Sequence, residues 1–176
     1  PQTVGADGAL DIAVKFARLG QIHVDEGASP PRLSRERARR YLTAQSVPGE
    51  PANRHALERG VELLKRLPGV SARGGLEPGA GDGETDLRVA LSGTPLVQGS
   101  VEVNNGGSRA TGVGQIVLST ALNGPLSFGD QGIGYAVLSE GSQFGLLSYG
   151  VPVGYDGTRL SVAGSLLQYR NIGVFA

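Results

Sequence analysis

The sequence of 176 residues contains no cysteine, methionine or tryptophan, and only two histidines. Without cysteine the chain can form neither disulfides nor thiolate zinc sites, and this composition fits an oxidising compartment. Its 16 basic and 16 acidic residues cancel, so no charge field indicates nucleic acid or a cationic partner. No apolar run approaches the roughly 18 residues of a transmembrane helix. The chain opens on Pro-Gln-Thr without signal-peptide regions, which predicts a mature or excised piece.

Charge is distributed unevenly along the chain. Residues 1–95 hold 13 of the 16 Lys and Arg and 12 of the 16 Asp and Glu, whereas residues 96–176 hold three and four. The first part therefore has the composition of an ordinary water-exposed surface, and the second part is nearly free of charge. This shift in composition predicts a domain boundary near Pro95.

The first part has the pattern of strands around two helices. Ile12, Val14 and Phe16 alternate with other residues, which is typical of a strand that continues into GQIHVDEG. Ser34 and Asn53 precede two amphipathic runs and are predicted to be helix N-caps, with the second helix continuing through residue 67. The runs VSARGGL and TDLRVAL, joined by a turn-rich segment, predict two more strands. From residue 22 the predicted order is β-α-α-β-β.

The second part alternates apolar with small polar residues in five runs: LVQGSVEV, GVGQIVLSTAL, QGIGYAVL, FGLLSYGVPV and TRLSVAGSLLQYR. Runs of about 9–11 residues with this alternation are typical of a transmembrane β-barrel. Hydrocarbon accommodates a charge-free apolar face and requires every backbone group to be paired in a sheet. The sides predicted to face lipid are Val97, Val101 and Val103; Ile116, Leu118 and Leu122; Ile133, Tyr135 and Val137; Leu147, Tyr149 and Val151; and Leu160, Val162 and Leu166.

The opposite side of the first two runs carries Gln98, Ser100, Glu102, Gln115 and Ser119. These side chains are predicted to face the lumen, where a polar and weakly charged wall suits an unfolded chain that slides past. A wall that merely keeps the lumen wet explains the same residues. Breaks between runs alternate in direction, so NGPLSFGD and PVGYDG are predicted to face the charged part, with NNGGSRAT and SEGSQ at the far end. Three tyrosines are candidates for interfacial girdles: Tyr135, Tyr149 and Tyr169.

Three stretches of the chain resemble one known family. RHALERGVELLKRLPGVSARGGLEPGAGDGETDLRVAL resembles the second POTRA domain of two-partner secretion transporters, the haemolysin secretion/activation family. VQGSVEVNNGGSRATGVGQIVLSTALNGPLSFGDQ resembles the start of their outer-membrane barrel, and LLSYGVPVGYDGTRLSVAGSLLQYR the hairpin that follows. The resemblance implies that residues 1–20 end a preceding POTRA domain, 21–95 form a POTRA domain and 96–176 form the N-terminal strands of an incomplete barrel. The chain is therefore expected to be a fragment.

The resemblance implies an α+β POTRA domain in the periplasm, followed by the first antiparallel strands of a β-barrel in the outer membrane of a Gram-negative bacterium. It implies that an unfolded exoprotein of haemolysin or adhesin type is captured by POTRA domains and passed through the barrel. The edge strand expected to bind the exoprotein by strand addition contains Val70, Ser71, Ala72, Arg73 and Leu76; a plain hairpin without a ligand is the alternative. The expected partners are this exoprotein and outer-membrane lipid, with no nucleic acid, small-molecule substrate or cofactor.

Two other functions are compatible with the same pattern. One is an outer-membrane assembly or insertion factor of the wider POTRA-barrel superfamily, and the other is a soluble periplasmic protein-binding module. An enzyme is not expected, because the sequence lacks the GxSxG, Walker and HExxH motifs. The acidic run from Asp82 begins like a calcium loop, but Leu87 and Gly93 stand where an EF-hand needs Gly and Glu. The sequence thus predicts no catalytic residue and no metal site.

Overall fold

The structure is a computed structural model that describes residues 2–4, 10–12 and 16–173. Its elements in chain order are β1 (Gln2–Val4), β2 (Leu10–Ile12), β3 (Arg18–Glu26), α1 (Arg35–Thr43), α2 (Arg54–Lys65), β4 (Val70–Pro78), β5 (Glu84–Gly93), β6 (Val97–Asn104), β7 (Gln115–Asn123), β8 (Gln131–Ser139), β9 (Ser142–Pro152) and β10 (Arg159–Tyr169). They form a hairpin of β1 and β2, a three-stranded sheet in the order β3-β5-β4, and a five-stranded sheet in the order β10-β9-β8-β7-β6.

The elements from β3 to β5 form one unit, called here the helical module, with the predicted order β-α-α-β-β. The central strand β5 runs parallel to β3 and antiparallel to β4. Helix α1 packs on β3 and α2 on β4, because the apolar stripe of each helix needs an apolar surface to cover it. The resulting core contains Leu19, Ile22, Leu33, Ala38, Tyr41, Leu42, Leu57, Val61, Leu63, Leu64, Leu67, Val70, Ala72, Leu87, Val89 and Leu91.

Both helices begin at the predicted caps. Ser34 Oγ accepts a hydrogen bond from the Arg37 N–H at 3.3 Å. Asn53 Oδ1 accepts from the N–H groups of His55 and Ala56 at 3.0 and 3.4 Å. These side-chain oxygens satisfy donors that have no partner within the helix. The second helix ends at Lys65 rather than at the predicted Leu67, which lies beyond the helix in the core.

The predicted continuous first strand is divided in the structure. β2 ends at Ile12, and Val14 lies outside the described residues. Phe16 belongs to neither strand and is 81% exposed, so its place in the predicted alternation is wrong. β3 begins at Arg18, and the predicted division between residues 20 and 21 falls within it. Alternation alone missed this division because two strands separated by a short connection read like one strand.

β6 to β10 form the five-stranded unit, called here the strand sheet, in which each strand is antiparallel to the next. Directly opposed residues share a face, so the register traces one apolar face through all five strands. This apolar face includes Val97, Val101, Val103, Ile116, Leu118, Leu122, Leu138, Leu147, Tyr149, Val151, Leu160, Val162 and Leu166. The grouping predicted for β6, β7, β9 and β10 is confirmed.

The face predicted for β8 is wrong. Tyr135 lies opposite Ser119, and Ile133 lies opposite Ser148, which puts both apolar side chains on the face that carries the polar residues of β6. The glycine side of β8 instead joins the apolar face, with Gly134 opposite Leu147. Between Gln131 and Ser139, each residue of β8 is glycine or has apolar character, so the strand's own sequence does not fix its register. The neighbouring strands do.

The connections of the strand sheet alternate between two ends. At one end, Gly141 N–H donates to Thr111 O and Ile172 N–H to Ala110 O, both at 2.7 Å. At the other end, the segments 124–130 and 153–158 contact the helical module, as the sequence predicted for NGPLSFGD and PVGYDG. Within the described residues, both helices are too short to cross a lipid bilayer.

Candidate protein-binding groove and polar sheet face

A groove of about 470 Å³ lies between α2 and the second half of β4. It is lined by Arg54, Leu57, Glu58, Val61, Glu62, Lys65, Gly74, Gly75, Leu76 and Leu87. Three leucines and a valine supply the apolar part, while the charged residues of α2 supply the rim. Long polar side chains around an apolar cleft are a common arrangement at surfaces that bind peptides or proteins.

The charges at the rim neutralise one another. Arg54 Nε lies 2.6 Å from Glu58 Oε1, and Lys65 Nζ lies 2.5 Å from Glu62 Oε1. The hydrogen bond from Arg54 holds the pKa of Glu58 below its usual value, and the same bond raises the pKa of Arg54. A ligand in the groove therefore meets paired charges, and the groove favours an apolar or small residue over a charged one.

β4 is an edge strand, and its register decides which backbone groups are open. Outside the ladder, Thr94 N–H donates to Gly69 O at 3.1 Å and Gly79 N–H donates to Glu84 O at 3.0 Å. Because antiparallel residues alternate between bonding inward and outward, the odd-numbered residues of β4 bond to β5. The N–H and C=O groups of Ala72, Gly74 and Leu76 then point away from the sheet.

The two edges of this sheet differ in how they are covered. The start of β3 is bonded by the segment between the helices, since Leu19 N–H donates to Glu50 O at 2.9 Å and Gly49 N–H donates to Leu19 O at 2.6 Å. On β4, Ala72 is 3% exposed whereas Leu76 is 53% exposed. On β4, the backbone stretch from Gly74 to Leu76 is open and lies beside the groove. An open edge is a template for a further strand.

All five residues predicted for exoprotein binding lie on β4, but they do not act as one surface. Val70 and Ala72 are buried in the core, so their side chains are unavailable to a ligand. Ser71 and Arg73 are exposed on the face turned away from the helices. Only Leu76 lines the groove.

Sequence reasoning missed the two glycines that shape the groove. A Cβ on Gly74 would lie 2.7 Å from Val61 Cγ2, so this glycine lets β4 approach α2 closely. Gly75 has no neighbour within 4 Å of its Cβ position. A glycine pair inside a strand is itself a signal of close backbone approach, and the ARGGL run of this sequence carries it.

The five residues predicted to face a lumen share the polar face of the strand sheet. Ser100 lies opposite Ser119, with their hydroxyl oxygens 2.9 Å apart. Gln115 Nε2 donates to Asn104 Oδ1 at 2.8 Å, and Gln98 and Glu102 occupy alternate positions of the same strand face. That this face lines a lumen stays a prediction. Over the described part of the chain, His, Asp and Glu side chains form no group of three or more that could hold a metal.

No protein-family model matches the chain. Outer membrane transporter CdiB of Escherichia coli O6:K15:H31 (strain 536 / UPEC) is 28% identical over 123 residues, which cover 70% of this chain and 20% of the relative. A second Escherichia coli CdiB gives the same identity and coverage. The chain is homologous to the CdiB outer membrane transporters of two-partner secretion. The match covers 20% of the length of each of these relatives, so the chain corresponds to about a fifth of them. The homology assigns the chain to the outer membrane of a Gram-negative bacterium.

Solved structures show the same fold. BamA from Haemophilus ducreyi, crystallised without POTRA domains 1–3, superposes with a TM-score of 0.62 at 13% identity, over 96% of this chain and 32% of the crystallised chain. CdiB from Acinetobacter baumannii superposes with a TM-score of 0.60 at 23% identity, over 94% of this chain and 31% of that chain. CdiB from Escherichia coli gives 0.53 at 23% identity, over 92% and 34%. The CdiB relatives are transporters and not enzymes.

Proposed function

We propose that the chain forms part of a two-partner secretion transporter, in which the helical module captures an unfolded exoprotein and the strand sheet contributes to the pore. The homology to CdiB transporters carries this proposal. In it, the periplasmic POTRA domain, expected over residues 21–95, begins with β3 at Arg18 and is supported by the β-α-α-β-β order. Residues 96–176 are the first strands of the barrel, and the residues before Arg18 end a preceding POTRA domain. Transport of this kind needs no catalysis, cofactor or metal.

Capture proceeds by addition of a strand to β4. An extended exoprotein segment pairs its backbone with the open N–H and C=O groups of Gly74 and Leu76 and lays alternate side chains over Leu57 and Val61. Backbone pairing tolerates many sequences, which suits a carrier of unfolded chains. The paired charges of the rim impose little selection by charge. Each added backbone bond contributes about 0.5–1.5 kcal/mol, so capture is weak and reversible.

Passage uses the polar face of the strand sheet. Gln98, Ser100, Glu102, Gln115 and Ser119 face the lumen in this proposal, with the apolar face against outer-membrane lipid. Hydroxyl and amide groups bonded to one another, such as Ser100 and Ser119 at 2.9 Å, give a wetted wall without strong fixed charge. An unfolded chain slides along such a wall without being held.

An assembly or insertion factor for outer-membrane proteins is the second candidate. The BamA superposition supports it, but a likeness at 13% identity concerns the fold alone. The sequence homology to CdiB therefore favours secretion. The two functions differ in a measurable way, since loss of an assembly factor lowers the amount of many outer-membrane proteins, whereas loss of a secretion transporter affects one exoprotein.

The capture step is tested by Leu76→Pro in the complete protein in its host. Proline removes the outward N–H of residue 76 and leaves the inward bonds of β4 to β5 in place. We expect secretion of the exoprotein to fall roughly tenfold, which corresponds to about 1.4 kcal/mol of lost binding. A photo-crosslinking side chain at Gly75 should join the exoprotein in the parent protein.

Arg73→Ala is the matched control, because its side chain lies on the opposite face of the same strand and should leave secretion unchanged. Arg73→Pro is unsuitable, since the N–H of residue 73 bonds to β5 and its loss opens the sheet. Full secretion by a folded Leu76→Pro variant, with no crosslink at Gly75, would contradict capture at this edge. A general fall in outer-membrane proteins would favour the assembly factor instead.

A further inference from the structure

Two loops of the strand sheet contact the helices of the helical module. The loop between β9 and β10 (residues 153–158) sets Tyr155 against Tyr41, with ring centroids 5.1 Å apart and planes at 86°. Edge-to-face pairs of this kind stabilise beyond the area they bury. The Tyr155 ring is partly buried and packs against the core of the module, so a residue of the strand sheet covers part of that core.

Polar contacts fix the same loop to both helices. On α1, Arg40 donates to the Tyr155 hydroxyl at 3.4 Å, and Gln45, just beyond the helix, donates to the Tyr155 carbonyl at 3.3 Å. On α2, Arg59 donates to the Asp156 carbonyl at 3.3 Å. Arg59 Nε also donates to Gln45 Oε1 at 3.1 Å, which links the two helices beneath the loop.

The turn of this loop requires glycine. Gly157 has φ +99°, a conformation that residues with a side chain rarely adopt. A Cβ at this position would lie 2.7 Å from Leu63 Cδ2 of α2. The backbone of the turn therefore lies directly against α2. Its conformation leaves no space for a side chain at residue 157.

A second contact lies on the neighbouring loop, between β7 and β8 (residues 124–130). The guanidinium of Arg37 lies 4.4 Å from the centroid of the Phe128 ring, a favourable cation–π geometry. Gly129, at φ +79°, approaches the Leu67 side chain, since a Cβ there would lie 2.9 Å from Leu67 Cδ2. The two loops thus hold α1 and the end of α2 at separate points.

We infer that these two loops act as a clasp that fixes the angle between the helical module and the strand sheet, with Tyr155 as its main anchor. Units joined by a single short linker move relative to each other by default, and residues 94–96 are the only chain segment between β5 and β6. Contacts to two loops remove that freedom. The clasp also places α2 between the groove on one side and the strand sheet on the other.

Distance measurements by pulsed electron resonance test the clasp in the complete protein in lipid nanodiscs. The 176 residues contain no cysteine, so Arg39→Cys on α1 and Gln143→Cys on β9 accept spin labels selectively within them. The parent should give one narrow distance distribution. Tyr155→Ala should roughly double its width, because small interfaces between units permit relative motion. Tyr169→Ala is the matched control, since Tyr169 is 73% exposed on β10 and should change nothing.

The double variant Gln45→Ala with Arg59→Ala removes polar contacts of the same loop from the module side without emptying the core. It should broaden the distance distribution as well. If Tyr155→Ala lowers the yield of folded protein, the double variant alone tests the clasp. Tyr155→Phe keeps the ring and should stay close to the parent. A distribution of parental width in both Tyr155→Ala and the double variant would overturn the clasp. This readout involves no exoprotein, so it is independent of capture and secretion.

Discussion

At the scale of single residues, one buried carboxylate organises the loop that carries Phe128. Asp130 is fully buried and accepts hydrogen bonds from the N–H groups of Leu126 and Phe128 at 3.0 and 3.1 Å, and from the Tyr149 hydroxyl. Burial alone would raise the pKa of Asp130, but these bonds outweigh it and the pKa lies below its usual value. The charged form is therefore the one that the loop holds.

Asp130→Asn is expected to destabilise the loop by about 1–3 kcal/mol, because an amide puts a donor where backbone donors converge. Acid should act in the same direction. A carboxylate with a lowered folded pKa stabilises fully above its unfolded pKa of about 3.9, and this stability is lost as pH falls through the folded value. The protection factors of residues 124–130, which divide out the intrinsic pH dependence of amide exchange, should stay high at pH 5 and fall in stronger acid.

Glu140→Gln provides the comparison for this measurement, because Glu140 is exposed in another turn of the strand sheet. It should leave the exchange of residues 124–130 as it is in the parent. Equal exchange in Asp130→Asn and Glu140→Gln would show that the charge of Asp130 does not hold the loop.

At the scale of elements, local chemistry made the helices predictable, whereas long-range packing decided the rest. Ser34 and Asn53 cap their helices through contacts within three residues, so the sequence alone carries the signal. The face of β8 depends on its register with β7 and β9, which no local pattern encodes. Gly74 matters only because Val61 lies above it. The edge strand was thus predicted, but not which part of it is open.

The packing of β4 against α2 gives a prediction with a matched pair of neighbours. Gly74→Ala should destabilise the module by about 1–3 kcal/mol, because its Cβ would overlap Val61 and force the strand away from the helix. Gly75→Ala meets open space and should be neutral or stabilise by about 0.4–1 kcal/mol through the unfolded chain. Thermal unfolding of the two variants measures the difference, and equal melting temperatures would contradict the close approach of β4 to α2.

At the scale of the whole molecule, the strand sheet and the helical module differ in where they place their apolar side chains. Apart from Leu76, the module buries its leucines between the helices and the sheet, as a water-exposed domain does. The strand sheet leaves Val101 72%, Val162 72% and Leu166 82% exposed on one face. Exposed aliphatic surface of that extent is unfavourable in water and favourable in hydrocarbon. The proposed function places this face against outer-membrane lipid, and the exposed aliphatic side chains support that proposal.

This assignment predicts which side chains touch lipid in the membrane-inserted protein. Single spin labels at Val101 and Val162 should be accessible to oxygen, which concentrates in the bilayer, while labels at Ser100 and Ser161 should be accessible to a polar nickel reagent.

β8 provides the sharpest case. The alternation along its sequence predicts Tyr135 on the lipid side, whereas the pairing of Tyr135 with Ser119 puts it on the polar side. A label at Tyr135 should therefore behave like the one at Ser100, and a label at Gly134 like the one at Val101. Oxygen accessibility at Tyr135 equal to that at Val101 would show that β8 pairs in another register. Equal accessibility to both reagents at Val101 and Ser100 would place neither face against lipid.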